Sequence, residues 1–86
     1  MSRYVRKKDE YVLMRPALQK GEKKDAKRDY HIIPIIDGRI ADTSICGLTP
    51  VGGWSKPVKL VKNEKHVDCK ECLIGARRLS IEMKKT

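Results

Sequence analysis

The sequence predicts a small α+β domain: a β-hairpin or short sheet with a C-terminal helix, preceded by a basic N-terminal arm. Three observations carry this. His31-Ile32-Ile33-Pro34-Ile35-Ile36 is a short β-branched run followed by Asp37-Gly38, a dipeptide suited to a two-residue hairpin turn. Cys72, Ala76, Leu79 and Met83 recur at helical spacing and define one apolar face. Residues 1–30 are mostly polar and basic.

Within residues 1–30, Gly21 to Asp29 is polar apart from Ala26 and cannot build a core. Residues 1–30 read as a basic, partly disordered arm, with 31–86 as the folded domain. Tyr11-Val12-Leu13-Met14 is the arm's apolar cluster, a short strand or helical turn that could dock on the domain before Pro16 stops it.

The hairpin follows. A turn centred on Asp37-Gly38 places Ile36 opposite Arg39 and, continued without interruption through residue 46, His31 opposite Ser44. Cys46 then lies just beyond, at the same end as His31. Pro34 lacks an N–H, so its strand is expected at an edge or bulged. Residues 47–55 are rich in Gly and Pro and read as a loop in which Trp54 covers one end of the core. Residues 56–62 are strand-like, Asn63-Glu64 suggests a turn, and residues 65–68 a further short strand leading to Cys69. The helix is predicted from Lys70 to Lys84, with Gly75 weakening it by about 1 kcal/mol relative to Ala. Lys70, Arg77 and Lys84 form a separate basic stripe on it.

Composition bounds what such a chain can do. It has 86 residues, 20 Lys/Arg against 11 Asp/Glu, a net charge of +9 and only four aromatic residues, Trp54 and three tyrosines. These values argue against a large enzyme fold and a large apolar cofactor pocket. The charge is uneven: residues 1–30 carry +5, residues 31–55 carry −1 and residues 56–86 carry +5. Neither a signal peptide nor an apolar run near the ~20 residues of a membrane helix is visible, which points to the cytoplasm. Thiols there stay reduced, and three cysteines suit a disulfide framework poorly.

A domain this small often needs a staple. Cys69-Lys70-Glu71-Cys72 is a C-x-x-C pair, ambiguous between metal and redox chemistry. A thioredoxin-like site requires a βαβ context that the chain lacks. Cys46 precedes Gly47, which lets the backbone turn tightly around an ion, and His31 lies at the same end of the hairpin. His31, Cys46, Cys69 and Cys72 therefore make a candidate Cys₃His site for one structural Zn²⁺, clamping hairpin to helix. His66 competes with His31 as the nitrogen ligand, because His66-x-x-Cys69-x-x-Cys72 is locally compact. Such a site leaves no position for water, and no nucleophile triad, carboxylate pair or phosphate-binding loop is spaced for catalysis, so no enzyme activity is expected.

The order His31, Cys46-Gly47, Cys69-x-x-Cys72-Leu73, followed by a short basic helix, resembles the small single-zinc proteins of bacteriophages and Gram-positive prophages. The resemblance covers about residues 31–80. It implies a zinc site, and a viral protein in host cytoplasm that binds nucleic acid or a host protein.

The basic excess supplies the surfaces. Arg3, Arg6, Lys7 and Lys8 of the arm and Lys70, Arg77, Arg78 and Lys84 of the helix are candidates for contact with nucleic-acid phosphates or an acidic partner. The alternative is a protein-interaction module that binds and inhibits or redirects a host protein. In that case Ile74 and Ile81, seven residues apart beside the basic stripe, would form the exposed apolar contact. Neither a membrane nor a small-molecule substrate is implied.

Overall fold

The computed structural model describes residues 8–18, 21 and 28–81. A 3₁₀ turn, Lys8–Glu10, leads into β1 (Tyr11–Met14), followed by β2 (His31–Ile36), β3 (Arg39–Ile40) and β4 (Val58–Lys59). Helix α1 (Leu60–Asn63), a 3₁₀ turn Glu64–His66 and helix α2 (Lys70–Arg78) complete the order. The strands form one antiparallel sheet in the order β3-β2-β1-β4, so the fold is α+β.

The apolar cluster placed by sequence in the arm is an inner strand. Tyr11, Val12, Leu13 and Met14 pair with Pro34, Ile33, Ile32 and His31, while Val12 and Leu13 also pair with Lys59 and Val58. Tyr11, Leu13 and Met14 are buried. A short apolar run in a polar segment contributes burial without needing the segment around it to fold.

The hairpin turn is as the dipeptide predicts. Asp37 and Gly38 both have positive φ, 51° and 78°, the pattern of a type I′ turn. Ile36 faces Arg39 and Ile35 faces Ile40. Beyond this the expected return strand stops. Pro34 accepts the Ala41 N–H at 3.0 Å but has no N–H to give back. Residues 42–43 bend out of the ladder, and the chain rejoins β2 through Ile45 N–H to Ile32 O at 2.9 Å. The rejoined register is two residues beyond that of an uninterrupted hairpin, which brings Cys46 instead of Ser44 beside His31. The strand holding Pro34 is thus internal, not an edge, and the bulge lies on the return segment.

Two further expectations are corrected. Only Val58–Lys59 of the strand-like stretch is a strand; Leu60 turns inward, fully buried, and begins α1. Lys65 and His66 are 3₁₀, and Val67 makes a single parallel bridge to Tyr30. Burying Leu60 and Val67 beneath the sheet outweighs the weak strand propensity of short Lys-rich segments.

Helix α2 ends at Arg78, earlier than periodicity predicts. Ser80 adopts a left-handed φ of 57°. Its N–H reaches Arg77 O at 3.1 Å and the Ile81 N–H reaches Ala76 O at 2.9 Å, the bond pair of a Schellman cap. Ile81 and Ala76, the apolar pair that accompanies such a cap, are both buried, so Ile81 is core and not an exposed contact. Met83 and Lys84 lie outside the described residues. The core joins Tyr11, Leu13 and Ile32 of the sheet to Leu60, Val67, Cys72, Ala76 and Ile81.

Candidate metal centre

Three separate pieces of chain meet at one point. His31 opens β2. Cys46 sits in the tight loop after the bulge, where Ser44 N–H bonds Leu48 O at 3.0 Å and Gly47 N–H bonds Ser44 O at 2.9 Å. Gly47 has a φ of 91°, which a side chain would strain. Cys69 is the extended residue capping α2, and Cys72 lies in its first turn. Side chains of a helix lean toward its N-terminus, so C-x-x-C at this boundary aims both sulfurs at one spot.

One ligand atom from each of His31, Cys46, Cys69 and Cys72 lies within 4.8 Å of the others, so the cluster could hold a single metal ion. His31 Nδ1 is 3.5 Å from Cys46 Sγ and 3.6 Å from Cys72 Sγ, and the Cys69 and Cys46 sulfurs are 4.0 Å apart. Metal–sulfur bonds of about 2.3 Å and metal–nitrogen bonds of about 2.0–2.1 Å at tetrahedral angles require S···S near 3.8 Å and N···S near 3.6 Å. Two N···S separations and one S···S separation, 3.5, 3.6 and 4.0 Å, are thus close to the edges of that tetrahedron, and all four ligand atoms lie within 4.8 Å of one another.

His66, the competing nitrogen ligand, is exposed and lies outside the cluster. The 3₁₀ turn between α1 and Val67 carries it away from the cysteines, whereas β2 delivers His31 to them.

The surroundings hold the ligands in place. The Ile32 N–H, released from the ladder by the bulge, donates to Cys72 Sγ at 3.3 Å. Ser44 Oγ accepts the Leu48 N–H at 3.1 Å, which leaves its own proton for Cys46 Sγ, 2.8 Å away. The Trp54 ring meets the His31 ring edge-on at a centroid distance of 5.6 Å, and its Nε1–H is anchored on Asp42 O at 2.6 Å. Trp54 thus packs against the histidine side of the candidate centre. Gly75 is the contact point between α2 and the Cys46 loop: a Cβ there would stand 3.3 Å from Ile45 Cγ1 and Cδ1.

Protonation follows from these contacts. Burial lowers the His31 pKa, favouring the neutral imidazole that binds metal, although Asp29 opposes it. Burial raises Cys72 well above the usual thiol range, with the Ile32 N–H acting against it. At Cys46 burial also pushes upward, but hydrogen bonds from Ser44, Cys72, the Leu48 amide and Cys69 together bring its pKa below the usual thiol value.

No family model, curated protein or solved structure matches this chain. The reading of the site therefore rests on the side chains themselves.

Of the cationic candidates, Lys70, Arg77 and Arg78 are exposed on α2. Leu73 and Ile74 are exposed among them, 38% and 46%. Lys8 opens the first 3₁₀ turn, while Arg3, Arg6 and Lys7 lie outside the described residues. No helix among the described residues is long and apolar enough to cross a membrane. Sequence reasoning missed Ser44, Ile45 and the Ile32 amide. Their only trace in the sequence is proximity to Cys46 and His31, and the uninterrupted hairpin misplaced Ser44 as His31's cross-strand neighbour.

Proposed function

We propose that His31, Cys46, Cys69 and Cys72 hold one structural Zn²⁺, and that the stapled module binds nucleic acid through the outer face of α2 and the basic arm. The carrying observation is the convergence of one imidazole nitrogen and three sulfurs within 4.8 Å. Thiolate and imidazole donors select zinc over hard cations such as Mg²⁺ or Ca²⁺. Four protein ligands leave no coordination position for water, so bound zinc supplies a cross-link between β2, the Cys46 loop and α2 in place of Lewis-acid chemistry. A non-enzymatic role follows. The ligand order shared with the small phage zinc proteins supports the same reading.

The binding half rests on charge. Lys70, Arg77 and Arg78 project from one exposed helix surface in a chain of net charge +9. Such a surface attracts phosphates, and affinity falls steeply with salt as counterions are released. Native mass spectrometry tests the metal, with one zinc per chain expected and unfolding on chelation. Titration of duplex and single-stranded oligonucleotides across a salt series tests the binding. Replacing Lys70, Arg77 and Arg78 together by Gln should lower the slope of log K against log salt by up to about 3. Flat binding curves at low salt would remove the nucleic-acid half.

One observation favours a protein partner instead. Leu73 and Ile74 are exposed between Lys70 and Arg77, an apolar pair rimmed by cations that suits an acidic protein surface with apolar anchors. Capture from host lysate that survives nuclease treatment and is lost in Ile74→Asp would favour this reading.

A further inference from the structure

The four candidate ligands differ in their access to solvent. Cys72 is fully buried, and its sulfur is covered by the Ile32 N–H at 3.3 Å. His31 is 8% exposed and faces the Trp54 ring. Cys46 and Cys69 are only half-buried, and their sulfurs lie 4.0 Å apart. Cys46 also lines a cleft of about 350 Å³ between its loop and α2, walled by Ile45, Ile74, Gly75 and Leu79 with Glu71 and Arg78 at the rim. That cleft is far larger than a molecule of hydrogen peroxide.

We propose that Cys46 and Cys69 are an oxidation site: hydrogen peroxide entering by this cleft converts them to a disulfide and opens the metal centre. The proposal rests on the zinc reading above. The Cys46 thiolate attacks one peroxide oxygen, the O–O bond breaks and hydroxide leaves, giving a sulfenic acid on Cys46. The Cys69 thiolate then attacks that sulfur, the S–S bond forms, the S–O bond breaks and a second hydroxide leaves. Two thiolates lose two electrons, and the peroxide gains them. His31 and Cys72 remain as the sole ligands, too few for a closed site. The disulfide still ties the Cys46 loop to the start of α2, so oxidation loosens β2 from the helix without freeing the loop.

The test uses the full chain. Zinc content is first fixed by native mass spectrometry; a chain that holds none overturns the metal reading, and this proposal with it, before any oxidant is added. The zinc-loaded protein is then exposed to hydrogen peroxide, zinc release is followed with a chromogenic chelator, and free thiols are alkylated for peptide mapping. Trypsin cuts after Lys70, so Cys69 and Cys72 fall on separate peptides. The expected result is release of about one zinc per chain, a Cys46–Cys69 disulfide and an alkylated Cys72, reversed by dithiothreitol with added zinc. The oxidised zinc-free protein should keep a melting transition below that of the zinc form, whereas the reduced, chelated form should show none. Retained zinc, a disulfide that includes Cys72, or sulfinic and sulfonic acids on Cys46 without a disulfide would each overturn the proposal.

Discussion

Ser44 Oγ lies 2.8 Å from Cys46 Sγ while accepting the Leu48 N–H at 3.1 Å, and to a Cys46 thiolate, which can only accept, the hydroxyl is the donor. Ser44 is 4% exposed, so this hydroxyl is part of the interior and not a surface group. It both closes the loop around Cys46 and presents a proton to the sulfur.

Ser44→Ala removes that proton and leaves the Leu48 N–H without its side-chain acceptor. Zinc affinity should fall by about tenfold, the lower end of what loss of an outer-shell partner costs at a metal site. Ser44→Thr keeps the hydroxyl and should restore most of the affinity. Competition with a chelator of known strength measures both.

The nitrogen ligand separates two variants. His31→Ala removes a group whose Nδ1 lies 3.5 Å from one cysteine sulfur and 3.6 Å from another. Zinc affinity should drop by more than about 100-fold, beyond the loss of an outer-shell partner. His66→Ala alters an exposed residue outside the cluster and should leave zinc affinity unchanged. Equal losses in the two variants would refute the assignment of His31.

At Gly75 two effects oppose. A Cβ would meet Ile45 Cγ1 and Cδ1 at 3.3 Å, tight enough that Ile45 must shift. Ile45 borders clefts on two sides, so its side chain has room to move. The helix-propensity gain of about 1 kcal/mol for Gly→Ala then prevails, and Gly75→Ala should raise the melting temperature slightly. Gly75→Val adds two methyl groups beyond the Cβ at this contact and should lower it. Thermal denaturation of the zinc-loaded proteins distinguishes the two signs.

Ser80 holds a left-handed conformation without being glycine. Ser80→Gly removes that penalty and should stabilise the fold by about 1 kcal/mol. Its side chain is exposed, so no packing is lost. Denaturant unfolding of the zinc-loaded protein reads the gain, and an unchanged midpoint would argue against the Schellman cap.

Much of the site was legible in the residues. C-x-x-C, Cys-Gly and a histidine at the same end of a hairpin are local signals, and the Asp37-Gly38 turn set the hairpin's position because few dipeptides tolerate two positive φ values. The helix over Lys70–Arg78 was legible from its buried Cys72 and Ala76. Its end was not, because Leu79 and Met83 continue the period, and only the left-handed backbone at Ser80 shows that the chain has turned. The inner position of Tyr11–Met14 was also hidden. Four apolar residues in a charged segment say that burial is available, not which strand they will join.

By itself the sequence determined the ligand types, the hairpin turn and the two basic segments, since these depend on side-chain chemistry and local backbone preference. Tertiary structure alone decided which histidine joins the cysteines and which residue stands beside it. Pro34 cannot return a hydrogen bond to the strand opposite, the ladder breaks, and the chain rejoins two residues out of step. That slip puts Cys46 against His31, frees the Ile32 N–H for Cys72 and turns Ser44 into a support for the site. Local propensity could not foretell it, because register is settled by pairing between distant segments.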